Sequence, residues 1–174
     1  PEDAFVIGTI ARWEPVKGYE TFFQAAAELA RRVPHVRFVV GGRGMDETNR
    51  ALRMAVTEAG LAGRITLLGG LDDPRPCYHL CDLYTSASHA EGFSNVLGEA
   101  MACGLPCVVT NVGDSATIVG PTGYVVPPRD PERLRAAWEA FLTMEPALRQ
   151  RMAQAARQRI EEHYDIEQVA KQME

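Results

Sequence analysis

The sequence predicts an α/β fold, a parallel sheet with helices on both faces. Two observations predict it. Short apolar runs alternate with stretches of helical periodicity along all 174 residues. Those runs are nearly continuous in Val, Ile and similar residues instead of alternating apolar with polar, as strands covered on both faces require. A glycine or acidic turn follows most runs, and no internal repeat or low-complexity linker breaks the order.

The elements follow in sequence. Phe5–Ile10 is a first strand. Phe22, Phe23, Ala26, Leu29 and Ala30 recur at helical spacing and predict a helix over 18–32. Val36–Val40 is a second strand, closed by a tight loop holding Gly41, Gly42 and Gly44. A helix over 47–60 ends at Gly60, and Ile65–Leu68 is a third strand followed by Gly69-Gly70. Residues 75–81 form a short helix, 82–86 a fourth strand, 94–103 a helix and 106–110 a fifth strand. A loop over 111–116 leads to a short strand at 123–126, closed by Pro127-Pro128. Asp130 caps the next helix with Pro131 at its first position. Helices at 131–143 and 146–163 and an amphipathic tail at 166–174 complete the chain.

Length predicts one domain spanning 1–174, with a helical C-terminal tail from about 146. The apolar fraction is 46% and the charged fraction 24%, the balance of an ordinary globular protein. A net charge of −5 offers no general basic surface, which argues against nucleic acid as a partner. No apolar run reaches the length of a membrane span, and there is no basic, apolar N-terminal signal. Cys77, Cys81, Cys103 and Cys107 form two C-x3-C pairs. The spacing is poor for structural zinc, and Cys103 and Cys107 sit in apolar surroundings as small core residues. Unpaired thiols fit a reducing cytoplasm.

Ligands of such sheets bind outside the carboxyl ends of the strands. The informative segments converge there: Gly8 to Lys17, Gly41 to Gly44, Gly69 to Asp73, and Ser86 to Asn95. The last continues into EGFSNVLGEAMACGLP, residues 91–106. Ser94 or Asn95 can cap its helix, Val96, Leu97, Ala100 and Met101 form a buried stripe, and Gly104 and Pro106 end it. Unpaired N–H groups and the positive end of the helix dipole attract an anion, and Gly92 lets backbone approach it. Glu91 precedes the helix. Glu99 lies inside it, roughly 6 Å along the axis at about 1.5 Å per residue. The two carboxylates therefore bracket an anion site, each free to accept hydrogen bonds from hydroxyls. A nucleotide-diphosphate sugar has that pattern of charge and hydroxyls.

Other constellations carry less. Arg12 and Lys17 can clamp a diphosphate and neutralise a departing nucleoside diphosphate, or be solvated loop cations. G-x-G-x-x-G after the first strand and the P-loop are both missing. His89-Ala-Glu91 has the H-x-E of zinc deaminases without the downstream P-C-x-x-C. His35, His79 and His163 fit surface or core positions, and the acidic residues form no metal-binding pair. Trp13 and Phe93 can face a ligand ring or pack within the protein.

On these residues the chain resembles the C-terminal, donor-binding domain of retaining glycosyltransferase family 4, which has the GT-B fold. The resemblance runs through Gly8, Arg12, Lys17-Gly18, the strand and glycines at 38–44, Leu68-Gly69, Cys81 to Ser86, the E-x7-E of 91–99, Ala100 to Thr110 and Gly123 to Pro127. It implies a Rossmann-like half of a two-domain enzyme. Glu91 would contact hydroxyls of the transferred sugar and Glu99 the ribose. Arg12 and Lys17 would hold the diphosphate, with Glu91, Arg12 and Lys17 as the catalytic set. Gly92, Phe93, Ser94, Asn95, Val96 and Leu97 would supply donor contacts. Gly8 would keep the first loop close to the phosphates, and Leu71 would pass near the base.

The family implies a UDP- or GDP-sugar donor and transfer with retention, without metal or other cofactor. It also implies an N-terminal acceptor domain, absent from these residues, with any catalytic His it contributes. The chain alone is then expected to be nearly inactive, and its start at Pro1 to fall where an interdomain linker ends. The Asn111–Ala116 loop is similar to that of bacterial lipopolysaccharide and exopolysaccharide enzymes. This implies a cytoplasmic protein whose missing domain makes any membrane contact. The final helix of the family crosses to that domain, so residues 164–174 are expected to be displaced. A sugar-nucleotide epimerase or glycogen-phosphorylase-like protein of the same fold and a non-catalytic nucleotide-sugar module are the alternatives.

Overall fold

The computed structural model describes residues 4–164. Six parallel strands form one sheet: β1 (Phe5–Ile10), β2 (Val36–Gly41), β3 (Ile65–Leu67), β4 (Leu83–Ser86), β5 (Cys107–Thr110) and β6 (Tyr124–Val126). Their order across the sheet is β3-β2-β1-β4-β5-β6. The chain winds outward from β1 to one edge, then returns and winds to the other. The crevice between the carboxyl ends of β1 and β4 is thus the switch point where such sheets bind ligands. The α/β, Rossmann-like expectation holds.

Among the described residues, seven α-helices cover the sheet: α1 (Tyr19–Arg32), α2 (Arg50–Glu58), α3 (Arg75–His79), α4 (Asn95–Ala102), α5 (Ser115–Val119), α6 (Pro131–Leu142) and α7 (Pro146–His163). Strand alternation divides the core into two layers. Phe5 and Ile7 of β1, Val36, Phe38 and Val40 of β2, Leu83 of β4 and Val108 of β5 pack under Phe22 and Leu29 of α1, Leu52 of α2 and Trp138 and Phe141 of α6. Ile10, Val39, Tyr84, Cys107 and Val109 face the other way, toward Tyr78 of α3, Leu97 and Met101 of α4, Ile118 of α5 and Ala156 of α7. The buried Trp138 indole donates to Thr85 Oγ1 at 2.8 Å, latching α6 onto β4.

Three local expectations change. The helix expected over 47–60 begins only at Arg50, because Asp46 Oδ1 accepts Thr48 N–H at 2.9 Å and closes a turn first. Asn49 then caps the helix through Leu52 N–H. Residues 115–119, with 115 and 116 expected as loop, form α5: Ile118 and Val119 are fully buried, and that burial outweighs the weak helix propensity of Thr, Ile and Val. Ser94 holds the N-cap position of α4 but makes no side-chain cap bond. The tail expected at 166–174 lies outside the described residues, as does all but Tyr164 of the expected displaced end.

Candidate functional site

The chain leaves β1 through a single 3-10 turn, Pro15–Lys17, and Gly18 then starts α1. Gly18 has φ 67°, and a Cβ there would collide with the Ala87 carbonyl oxygen. Only glycine meets both demands. His89 N–H donates to Val16 O at 2.7 Å. The turn after β1 and the loop after β4 are therefore locked face to face.

That contact places Lys17 on Glu91. Lys17 Nζ lies 2.7 Å from Glu91 Oε1, with the side chains only 16% and 11% exposed. Ser88 Oγ donates to the same oxygen at 2.6 Å. Ser88 is buried, and its carbonyl accepts Thr110 Oγ1 at 2.6 Å, which ties the carboxylate to β5. Among the described residues, Glu91 Oε2 takes no hydrogen bond. The carboxylate is thus fixed through one oxygen, and the other remains to accept from a ligand.

Next comes the helix terminus. Asp114 N–H donates to Gly92 O at 3.3 Å and braces the approach to α4. The Phe93, Ser94, Asn95 and Val96 N–H groups find no acceptor among the described residues. An anion at the α4 N-terminus would meet these donors and the positive end of the helix dipole. Nothing lies within 4 Å of a Cβ built on Gly92, so that approach is open. One turn further on, the exposed Glu99 takes a hydrogen bond from the buried Tyr78 hydroxyl, 3.1 Å from Oε2.

The expected residues do not all gather. Arg12 stands apart from Lys17: its side chain is 56% exposed and pairs with Glu14 at 3.2 Å. Leu71 is half-buried with its side chain against Gly41. Phe93 is 52% exposed, its ring 5.9 Å from that of Tyr164, while Trp13 stacks inward on Phe23. Two donor contacts need correction. Gly8 is interior to β1, paired with Val39 and Tyr84, and a Cβ there would collide with Cys81 Sγ. Packing beneath the sheet, not approach to phosphates, requires this glycine. Leu97 has a fully buried side chain, and its N–H donates to Ser94 O at 3.2 Å, so neither is free for a ligand. Ser88, Tyr78 and Thr110 were missed. Ser88, three positions before Glu91, sits at a strand exit where a hydroxyl is a usable signal; the other two carry none.

The comparisons decide the family. The model described as "Glycosyl transferases group 1" matches residues 4–144. The chain belongs to this family. A D-inositol 3-phosphate glycosyltransferase of Kribbella flavida is 33% identical over 174 aligned positions, covering 89% of this chain and 39% of that protein. The chain therefore spans well under half the length of such curated relatives. Among solved structures, sucrose-phosphate synthase from Thermosynechococcus elongatus superposes with a TM-score of 0.88 at 29% identity, covering 99% of this chain and 44% of that one. HepE of Anabaena, in complex with UDP and glucose, superposes with a TM-score of 0.86 at 26% identity, covering 98% and 47%. These neighbours are GT-B enzymes, so the sheet is one Rossmann-like half of that architecture. Among the described residues, no helix of this group 1 chain is long and apolar enough to cross a membrane.

Proposed function

We propose that the chain is the donor-binding domain of a retaining, metal-independent glycosyltransferase that uses a UDP-sugar. One observation carries the reading: Lys17 sits on Glu91, and the unpaired N–H groups of Phe93 to Val96 fall between Glu91 and Glu99 along the chain, each carboxylate anchored through a single oxygen. The diphosphate takes the cation and the helix terminus. Glu91 Oε2 accepts from hydroxyls of the sugar, and Glu99 from those of the ribose. Lys17 and the helix dipole neutralise charge on the departing UDP, which supplies without a metal the stabilisation a divalent ion otherwise gives. Arg12 joins them by exchanging Glu14 for phosphate, a swing that its exposure permits. UDP is preferred to GDP because a neighbour at 26% identity is complexed with UDP and glucose.

The whole enzyme, in our reading, adds an acceptor domain facing this cleft. It works in the cytoplasm on a lipopolysaccharide or exopolysaccharide acceptor at the inner membrane face, which the similarity of the 111–116 loop supports.

Calorimetric titration of UDP and GDP into the chain tests the donor assignment. Saturable UDP binding with a Kd between roughly 10 μM and 1 mM is expected, equivalent to about 4 to 7 kcal/mol. Lys17→Ala should weaken it about 30-fold, the loss of one charge-assisted contact worth about 2 kcal/mol. Failure to bind either nucleotide, with the fold intact, overturns the assignment.

A further inference from the structure

The proposed reading gives Glu99 to the ribose, but Glu99 is an exposed side chain on a helix surface. A free Glu there samples many rotamers, and a ligand must immobilise it at a cost in affinity. In this chain one contact has already immobilised it. Tyr78 hangs from α3, buried to 2% exposure, with its ring edge-on to Tyr84 at 5.9 Å. Its hydroxyl lies 3.2 Å from Val96 O and 3.1 Å from Glu99 Oε2, both on α4. Those two acceptors compete for a single proton. Burial, and then the nearby Glu99 charge, push the phenol well above its usual pKa, so it stays a donor.

We propose that Tyr78 is a positioning residue that presents Glu99 to the vicinal 2′- and 3′-hydroxyls of a ribonucleoside diphosphate and so makes the chain select ribo- over dideoxyribonucleotides. The proposal rests on the donor-site reading above. The phenol occupies one lone pair of Oε2. Oε1 and the remaining lone pair of Oε2 are left for two adjacent hydroxyls, a match that a single hydroxyl cannot complete. The placement of α3 adds to the argument. It follows directly from the Leu71 segment, which lies at the carboxyl edge after β3. Tyr78 thereby ties the segment beyond β3 to the carboxylate on α4, so both sides of a nucleoside site share one rigid contact.

The alternative role for Tyr78 is core filling alone, and the two roles separate in one measurement. UDP and 2′,3′-dideoxy-UDP are titrated calorimetrically into the wild-type chain, Tyr78→Phe, Glu99→Ala and the double variant. Wild type should prefer UDP. Tyr78→Phe keeps the ring but loses the proton, and should bind UDP about three- to tenfold more weakly while binding the dideoxy analogue as wild type does. The double variant should lose no more than Glu99→Ala alone. For one variant, the ratio of its two dissociation constants does not depend on the folded fraction, so a destabilised Tyr78→Phe still gives an answer.

Tyr78→Phe retaining the full preference for UDP, while Glu99→Ala loses it, overturns the positioning role and leaves the donor site standing. Glu99→Ala retaining the preference overturns the ribose assignment itself, and the positioning role with it.

Discussion

Gly8 and Cys81 compete for one space. Gly8 faces the layer under α3 and α4, and the Cys81 thiol fills the place of its missing side chain while donating to Cys77 O at 3.1 Å. Gly8→Ala should therefore cost about 2 kcal/mol by overpacking, and adding Cys81→Ala should recover at least half of it. Urea denaturation of the two single variants and the double variant checks this. The folded Gly8→Ala protein should bind UDP as wild type does; a weakened Kd of the folded protein would return Gly8 to the binding site. The residue scale is also where the sequence is least explicit. Glu91 and Glu99 are conspicuous as an E-x7-E pair, but their partners are not. Lys17 lies 74 positions from Glu91, and Tyr78 lies 21 from Glu99. No local pattern encodes a pairing made by two separate elements. The misassignment of Gly8 has the same origin. A glycine within a strand suits the close approach of a ligand or a crowded layer equally well, and only the neighbour packed against it distinguishes them.

The helices show the opposite balance. α4 is legible because each of its signals is local. Its C-terminus closes with Gly104 at φ 74°, Leu105 N–H on Ala100 O at 3.0 Å and Gly104 N–H on Met101 O at 2.8 Å. That pair of bonds is the Schellman closure that glycine favours. Gly104→Ala should cost about 1 kcal/mol and leave UDP affinity unchanged, since it frays the end of α4 remote from the phosphate donors. A melting series combined with calorimetry reads both quantities. Asp130 with Pro131 is equally local: Arg133 N–H donates to Asp130 Oδ1 at 2.9 Å, as the sequence leads one to expect. α5 was missed because its reason is not local. Four of its five residues, all but Ala116, are weaker helix formers, held by the burial of Ile118 and Val119. The start of α2 moved because Asp46 offers the backbone a turn that competes with helix.

At the scale of the molecule, three buried phenols set an alkaline limit. Burial holds Tyr19, Tyr78 and Tyr84 above the usual phenol value of 10.0. Each folded-state pKa exceeds its unfolded value, so the fold favours the protonated forms. The stability they contribute is whole below about pH 10 and is lost as pH climbs from there toward their raised values. Melting temperatures taken between pH 7 and 11 should hold until about pH 10 and then fall. Tyr78→Phe, with one such group removed, should fall less steeply; an unchanged slope would exclude Tyr78 from the effect.

The sequence by itself determined the parallel α/β architecture, nearly all of the elements and the E-x7-E segment at the anion-attracting end of α4. Those depend on periodicity, caps and turn residues, which act over a few positions. The tertiary structure alone decided that Lys17 and Ser88 share one oxygen of Glu91, that Tyr78 holds one oxygen of Glu99, that Leu97 is closed off, and that Arg12 faces outward. These are outcomes of which elements lie side by side in the 3-2-1-4-5-6 order, and they arise from burial and contact between segments distant in the chain.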